Sequence, residues 1–182
     1  MRDFKILTEK MLRREDKFQG RILSVHVDQV ELPDGRTSRR EVVDHVDGVA
    51  VLALDGHNHV LTVTQYRYVF GKPLVELPAG KLDPGETPET GALRELKEET
   101  GAVPGELRSL GRILPSPGCF SETLHMFLAR ELRMEEQALD PGEFLNVERI
   151  PFDEMVRRCL DGDIEDAKTV TAVLKARLML DL

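Results

Sequence analysis

The sequence has no excess of positive charge. It contains 25 Lys and Arg residues against 33 Asp and Glu residues, which gives a net charge of -8 and an isoelectric point near 5.2. Nucleic acids and anionic membrane surfaces attract basic proteins, so this balance argues against general binding to either. An acidic protein that handles an anionic ligand needs a metal ion or a local basic pocket to do so.

Cysteine is scarce, and long apolar runs are missing. Cys119 and Cys159 lie far apart and show no metal-binding spacing, which indicates a reduced protein with two incidental thiols. No apolar run approaches the roughly 18 residues of a membrane span. The first residues, MRDFKILTEKMLRRED, are charged throughout and lack the apolar centre of a signal peptide. We therefore expect a cytoplasmic protein that does not enter membranes.

Two hairpins are predicted in the first part of the chain. Residues 20–32 alternate between apolar and polar, and after the turn sequence PDGR the pattern resumes at residues 38–46. The apolar run 48–54 is joined by DGHN to a second strand pattern at 59–69. Further strand patterns, LRSLGRILPSPG and ETLHMFLAREL, surround a loop at 115–121.

Three helices are predicted beside these strands. Thr87 suits a helix N-cap, Pro88 the first helical position and Gly101 the residue after the helix end, and Leu93 and Leu96 are its expected buried stripe. The other two helices are expected at 153–160 and 166–180, the latter with apolar Val170, Val173, Leu174 and Leu178 at helical spacing. Short strands with about three helices favour an α+β fold, layered as an α/β/α sandwich. We expect a small N-terminal antiparallel β-sheet at residues 1–46 and the main domain at 47–182.

The first of these helices carries an unusual concentration of negative charge. In RELKEETG, Glu95, Glu98 and Glu99 are three and four residues apart and share one face. They lie near the helix C-terminus, where the helix dipole disfavours anions. A solvated charged face is the ordinary explanation for such a run, but this one combines a like-charge pair with an unfavourable position. Carboxylates arranged in this way suit a hard divalent cation, Mg²⁺ or Mn²⁺.

The residues around the helix complete a longer pattern. From Gly80 the chain reads GKLDPGETPETGALRELKEETGA, with Glu86 and Arg94 at fixed offsets from the three glutamates. This stretch resembles the signature of the Nudix hydrolases, and only Ala102 is smaller than the usual residue. The resemblance implies a Nudix fold and metal-dependent cleavage of a diphosphate joined to another group. By position, it implies that Glu95, Glu99 and the backbone carbonyl of Ala79 bind Mg²⁺, with Mn²⁺ as a substitute.

Features outside the signature resemble the ADP-ribose pyrophosphatase branch of the family. The SPG stretch places Pro117 fifteen residues after Ala102, and TQYR matches a strand end whose arginine, here Arg67, contacts phosphate. In that branch the N-terminal hairpins form a swapped homodimer, and each subunit lines the other's nucleotide pocket. The resemblance implies a set of substrate-binding residues made up of Arg21, Ile22, Arg40, Glu41, His45, Arg67, Ser116, Pro117, Gly118 and Glu122.

The chain departs from this branch at the acidic loop after the substrate strand. Its sequence is LDPGEF, in which Glu143 falls on a metal-ligand position but Pro141 replaces the proposed general base. Glu143 is therefore predicted as a further metal ligand. Glu98 is the favoured base over Glu122, with Asp140 as another candidate, and a metal-bound water needs only a weak base. We predict Glu95, Glu98, Glu99 and Glu122 as the catalytic carboxylates.

The resemblance predicts hydrolysis of ADP-ribose to AMP and ribose 5-phosphate. A second possibility is another nucleoside diphosphate sugar, such as GDP-mannose, because the sequence shows no residue that reads the base. A third is a non-catalytic ADP-ribose-binding module, which the intact signature disfavours. The N-terminal hairpins and the SPG stretch disfavour an enzyme that removes mutagenic nucleotides.

Overall fold

The computed structural model describes residues 7–180 and divides them into two compact units. One unit comprises the residues up to Val46 together with Leu114–Glu122, and the other comprises Asp47–Ile113 and the residues from Thr123 onward. The sequence assigned residues 114–122 to the larger domain. In the structure they cluster with the N-terminal unit, where Val43 donates a backbone hydrogen bond to Cys119 (2.7 Å) and accepts one from Ser121 (3.0 Å).

The N-terminal unit contains a three-stranded antiparallel sheet. Its strands are β1 (Lys10–Gln19), β2 (Leu23–Glu31) and β3 (Thr37–His45), in that spatial order. The predicted hairpin of β2 and β3 is confirmed by their continuous antiparallel register. Strand β1 was not predicted, because all ten of its residues are exposed and its sequence lacks the alternation that marks a half-buried strand.

The larger unit is built on a seven-stranded mixed sheet. Its strands are β4 (Gly48–Leu54), β5 (His59–Arg67), β6 (Lys72–Glu76), β7 (Ala79–Lys81), β8 (Ala102–Ile113), β9 (Leu124–Met134) and β10 (Leu145–Pro151). The order is β10-β5-β4-β9-β8, with β6 beside β5 and β7 beside β4. The β4–β5 hairpin is confirmed as predicted, and β4 also pairs in parallel with β9. Strand β10 was not predicted.

Helices cover both faces of this sheet, as the α/β/α prediction requires. They are α1 (Pro88–Thr100), α2 (Phe152–Asp161) and α3 (Ala167–Leu180). Every residue of β4 is buried, and alternate side chains serve opposite layers. Leu52 and Leu54 pack in one cluster with residues of α2 and α3, whereas Val49 and Val51 pack in another with residues of α1.

Leu93, predicted to lie in the buried stripe of α1, is 41% exposed. Leu178, one of the apolar residues at helical spacing in α3, is 83% exposed. The buried face of α1 runs instead through Ala92, Leu96 and Glu99, which follow one another at spacings of four and three residues. A carboxylate thus occupies a position on the buried face, where an apolar residue was expected. Within residues 7–180, no helix is long and apolar enough to cross a membrane.

Candidate functional site

The glutamates of α1 are held on a helix with defined ends. Thr87 is the N-cap, its hydroxyl accepts a hydrogen bond from the Thr90 amide, and the Thr90 hydroxyl accepts one from the Thr87 amide. Gly101 ends the helix in the left-handed conformation, with φ of 74°, and its amide donates to the Lys97 carbonyl. These are the ends predicted from the sequence. They fix the last turns of α1, which carry the acidic face.

Glu99 is the most buried carboxylate of that face. Its side chain accepts a hydrogen bond from the Ala79 amide at 2.9 Å, and the residue is only 4% exposed. Burial raises the pKa of Glu99 to about 8, the Ala79 amide opposes this shift, and the negative charges of Glu95 and Glu143 add to it. Burial also raises the pKa of Glu95, against the opposing effect of Arg94. A bound cation would relieve this cost of holding several carboxylates together.

Arg94 organises the remaining carboxylates. It donates two hydrogen bonds to Glu86, at 3.0 and 2.9 Å, and one each to Glu95 and Glu98, both at 2.9 Å. A further bond reaches the Lys81 carbonyl at 3.0 Å. The hydrogen bonds to Glu86 are the main cause of the raised pKa of Arg94. This arrangement holds the side chains of Glu86, Glu95 and Glu98 in fixed orientations.

Strand β7, which precedes α1, is shaped to receive a carboxylate. A Cβ atom placed on Gly80 would overlap the Glu95 carboxylate, so only glycine lets that side chain lie against the backbone. The donors in this region are hard oxygen atoms, which suit Mg²⁺ or Mn²⁺. Among the residues that the structure describes, no group of three acidic, histidine or cysteine side chains is placed so that it could hold a metal ion. Mg²⁺ sites commonly use few protein carboxylates and complete their coordination with water and substrate phosphate.

The predicted metal ligand Glu143 lies in a tight turn that follows β9. Its amide donates to the Asp140 carbonyl at 3.0 Å, and Gly142 has φ of 95°. The charge of Glu143 contributes to the raised pKa values of both Glu95 and Glu99, so its carboxylate lies within electrostatic range of α1. Pro141 is part of this exposed turn and offers no proton acceptor.

A buried ion-pair network holds Arg67, which was predicted to contact phosphate. Arg67 donates two hydrogen bonds to Glu76, at 2.6 and 2.7 Å, and Lys168 also donates to Glu76, which is only 2% exposed. Burial alone would raise the pKa of Glu76, but Arg67 and Lys168 outweigh it and lower the pKa. The charge of Arg67 also lowers the pKa of Glu99, so the guanidinium is within electrostatic range of the acidic face.

Sequence reasoning missed Glu76 and Lys168. The available signal was a glutamate inside an otherwise apolar strand, PLVELP, since a buried acid requires a cationic partner. Lys168 gave no comparable signal, because its contact with Glu76 joins residues 92 positions apart.

The structure brings several predicted substrate residues together within the N-terminal unit. The SPG loop is a turn in which the Cys119 and Phe120 amides donate to the Ser116 carbonyl, at 3.2 and 3.0 Å. The Phe120 ring packs on His45 with centroids 5.1 Å apart, and the His45 ring nitrogen lies 3.9 Å from the Glu122 carboxylate. Pro117 and Gly118 are exposed in this turn.

The other predicted residues of the N-terminal unit lie on its sheet. Arg40 forms a two-pronged ion pair with Glu9, and Glu41, next in β3, is exposed. Arg21 and Ile22 are exposed between β1 and β2.

Comparison with protein families places most of the chain in two known domains. Residues 44–173 match the NUDIX domain, and residues 9–43 match the nucleoside diphosphate sugar hydrolase N-terminal domain. The NUDIX match includes β4 to β10, α1 and α2, and therefore all the carboxylates of the acidic face.

Individual relatives match along nearly the whole chain. A methanol dehydrogenase activator of Bacillus methanolicus is 42% identical, and an ADP-ribose pyrophosphatase of Bacillus subtilis is 40% identical; each alignment covers 93% of this chain and 92% of the relative. The crystal structure of an ADP compounds hydrolase superposes with a TM-score of 0.85 at 26% identity and covers 96% of both chains. This agreement confirms the predicted fold, including the small N-terminal antiparallel sheet.

Proposed function

Because the chain belongs to the Nudix family, we propose that it hydrolyses the diphosphate bond of ADP-ribose. The reaction consumes one water and yields AMP and ribose 5-phosphate. One P–O bond of the P–O–P bridge breaks, the attacked phosphorus forms a new bond to the water oxygen, and the bridging oxygen leaves with the other phosphate. The proposal is carried by the acidic face of α1, with its buried Glu99, in a chain 40% identical over 93% of its length to an ADP-ribose pyrophosphatase. The other relative's name describes an effect on a dehydrogenase and specifies no substrate.

Nudix hydrolases generally use divalent metal ions, and we propose Mg²⁺ here, with Mn²⁺ as a substitute. The ligands would be Glu95, Glu99, Glu143 and the Ala79 carbonyl. When bound, the metal supplies neutralisation of the diphosphate and activation of the attacking water. The protein holds these carboxylates at fixed positions before substrate arrives, and preorganisation of this kind lowers the cost of reaching the transition state.

The remaining carboxylates and cations have separate roles in the proposal. Glu98 and Glu95 accept hydrogen bonds from the same nitrogen of Arg94. Glu98 is the preferred general base, with Glu122 as the alternative. Arg67 binds a substrate phosphate, and Glu76 keeps its guanidinium in place. In the N-terminal unit, the SPG turn, His45 and the Arg40–Glu41 pair would bind the nucleoside and the terminal ribose.

We further propose a cytoplasmic homodimer in which Arg21 and Ile22 of one subunit line the nucleotide pocket of the other. The N-terminal unit supports this, because Met11, Phe18 and Ile22 are each more than half exposed. Cys119 and Cys159 are both free thiols, which is the usual state in a reducing compartment.

Product analysis over a panel of nucleoside diphosphate derivatives tests the proposed reaction. ADP-ribose should give AMP and ribose 5-phosphate with the highest kcat/KM, and chelation of divalent ions should abolish turnover. A reaction run in ¹⁸O-labelled water would show which product phosphate received the new oxygen. ADP-ribose binding without any product would instead support the non-catalytic module.

A different nucleoside diphosphate sugar is the second candidate substrate, and GDP-mannose is its test case. It is favoured by the match of residues 9–43 to a domain named for nucleoside diphosphate sugar hydrolases in general. A far higher kcat/KM for GDP-mannose than for ADP-ribose would select this candidate and leave the metal site as proposed.

A further inference from the structure

The carbonyl groups at the end of α1 are bound by a segment from elsewhere in the chain. The last carbonyls of a helix have no partner within the helix and need one outside it. Here the Glu98 carbonyl accepts from the Ala138 amide at 3.1 Å, and the Glu99 carbonyl accepts from the side-chain amide of Gln137 at 2.5 Å. The Gly101 carbonyl accepts from the Glu135 amide at 2.7 Å. We call residues 135–138, which follow β9, the strap.

An ion pair and a close backbone approach complete this attachment. Lys97 of α1 lies 2.8 Å from the Glu135 carboxylate. A Cβ atom on Gly101 would overlap the Glu135 carbonyl oxygen, so the glycine allows the strap to approach the helix end. Both Gln137 and Lys97 place donor groups at the negative end of the α1 dipole, close to a face that already carries three carboxylates.

The strap leads directly into the turn that carries Glu143. Only a few residues separate Gln137 from that turn, whose carboxylate is within electrostatic range of Glu95 and Glu99. A tether to the backbone of Glu98 and Glu99 therefore limits how far Glu143 can move from them. The Glu99 carbonyl and carboxylate belong to the same residue. The hydrogen bond from Gln137 therefore connects the strap, and the turn that follows it, to a proposed metal ligand.

We propose that Gln137 is a positioning residue of the metal site, which fastens the turn carrying Glu143 to the carbonyl end of α1. This inference rests on the proposed metal ligands and goes beyond them by naming a residue that neither touches substrate nor binds the metal. Its side chain acts through a donated hydrogen bond. The effect of a substitution should therefore follow donor capacity and charge more closely than size.

Three variants of Gln137 and one control separate these properties. Mn²⁺ binding, measured by the electron paramagnetic resonance signal of free Mn²⁺ in the absence of substrate, should weaken about tenfold in Gln137→Ala, since outer partners of metal ligands typically contribute that much. Gln137→Met keeps roughly the size and the neutral charge but loses the donor, so its affinity should fall as far as that of Gln137→Ala. Gln137→Lys keeps a donor and should stay within about twofold of the wild type. Glu136→Ala, in the same strap, should leave affinity unchanged.

A second measurement distinguishes positioning from a general effect on folding. In a Glu143→Gln background, Gln137→Ala should cause little further loss of Mn²⁺ affinity, because the strap acts through Glu143. Equal losses in both backgrounds, or a lower melting temperature with unchanged Mn²⁺ affinity, would overturn the proposal. If Gln137→Ala does not fold, the comparison of Gln137→Lys with Gln137→Met decides, and equal affinities would reject the proposal.

These results are independent of the substrate. Loss of Mn²⁺ affinity on removal of Gln137, in a protein that does not cleave ADP-ribose, would support the strap and reject the proposed reaction. Hydrolysis of ADP-ribose by the wild type, together with an Mn²⁺ affinity that does not depend on Gln137, would support the proposed reaction and reject the role of the strap.

Discussion

At the scale of single residues, substitution of Glu95 or Glu99 should lower activity without lowering stability. Burial disfavours the charged form of both, and neighbouring carboxylates add to this effect: Glu98 and Glu143 at Glu95, and Glu95 and Glu143 at Glu99. We expect Glu95→Gln and Glu99→Gln each to lower kcat by about two orders of magnitude or more, as removal of transition-state charge stabilisation does. Without metal, the same variants should match or exceed the wild-type melting temperature, because a like-charge repulsion is removed.

Glu89 provides the matched control for these two variants. It is an exposed glutamate in the first turn of the same helix, where negative charge is favourable. Steady-state kinetics of Glu89→Gln should resemble those of the wild type. Near-normal turnover in both Glu95→Gln and Glu99→Gln would reject the metal site.

Glu76 should make stability depend on pH. Its pKa in the folded protein lies below the ordinary value of 4.5, so its ion pairs stabilise the fold above that pH. That contribution is lost as the pH falls through the folded pKa. At pH 7 we expect Glu76→Gln to lower the free energy of unfolding by roughly 3 kcal/mol, since Arg67 and Lys168 lose their buried counter-charge.

Urea unfolding of the wild type and Glu76→Gln at a series of pH values measures this effect. The difference between the two proteins should be constant near neutrality and shrink below pH 4.5. Glu106→Gln, an exposed substitution in β8, should show neither effect. A difference that stays constant down to acid pH would contradict the ion-pair origin of the stability.

At the scale of elements, α1 could be predicted because local chemistry determines its ends. Thr87, Pro88 and Gly101 signal caps whose physics lies within a few residues. The buried face of the helix was harder to predict. Leu93 was wrongly placed in the core, because a buried glutamate occupies the position that an apolar pattern would fill. The contact between the strap and α1 could not be predicted from the sequence, because its hydrogen bonds join residues nearly 40 positions apart.

Substitution of Gly101 tests the contact between α1 and the strap. Gly85 and Gly101 both have positive φ, at 83° and 74°, but an added Cβ meets nothing within 4 Å at Gly85 and meets the Glu135 carbonyl at Gly101. Gly85→Ala should cost about 1 kcal/mol of unfolding free energy through backbone strain alone. Gly101→Ala should cost roughly 3 kcal/mol, because strain and displacement of the strap add. Equal losses in chemical denaturation would mean that the strap moves aside freely.

At the scale of the whole molecule, the layered fold was predictable and the division into units was not. The apolar run of β4, the strand pattern of β5 and the helical spacing in α3 indicate a sheet covered by helices. Strand β1 carries no such signal, because every residue in it is exposed. The grouping of residues 114–122 with the N-terminal unit was not predicted, because their pairing with β3 is a long-range contact that no local pattern records.

The exposed strand β1 leads to a prediction about assembly. Met11 and Phe18 are 55% and 57% exposed in this strand, and apolar side chains of that kind are commonly covered by a second subunit. Light scattering should therefore give twice the chain mass of 20.5 kDa, about 41 kDa. Phe18→Lys should shift the protein toward the monomer, whereas Leu178→Lys, at an equally apolar and 83% exposed site in α3, should leave the dimer intact.

The same variants test whether the partner completes the substrate site. If Arg21 and Ile22 line the nucleotide pocket of the other subunit, Phe18→Lys should raise KM for ADP-ribose as the dimer dissociates, and the rise should be smaller at high protein concentration, where the dimer re-forms. Mn²⁺ binding should persist, because the acidic face and Glu143 all belong to the larger unit of one chain. A monomeric Phe18→Lys protein with wild-type KM would show that one chain supplies the whole pocket, and the nucleoside would then be bound without Arg21 and Ile22 of a partner.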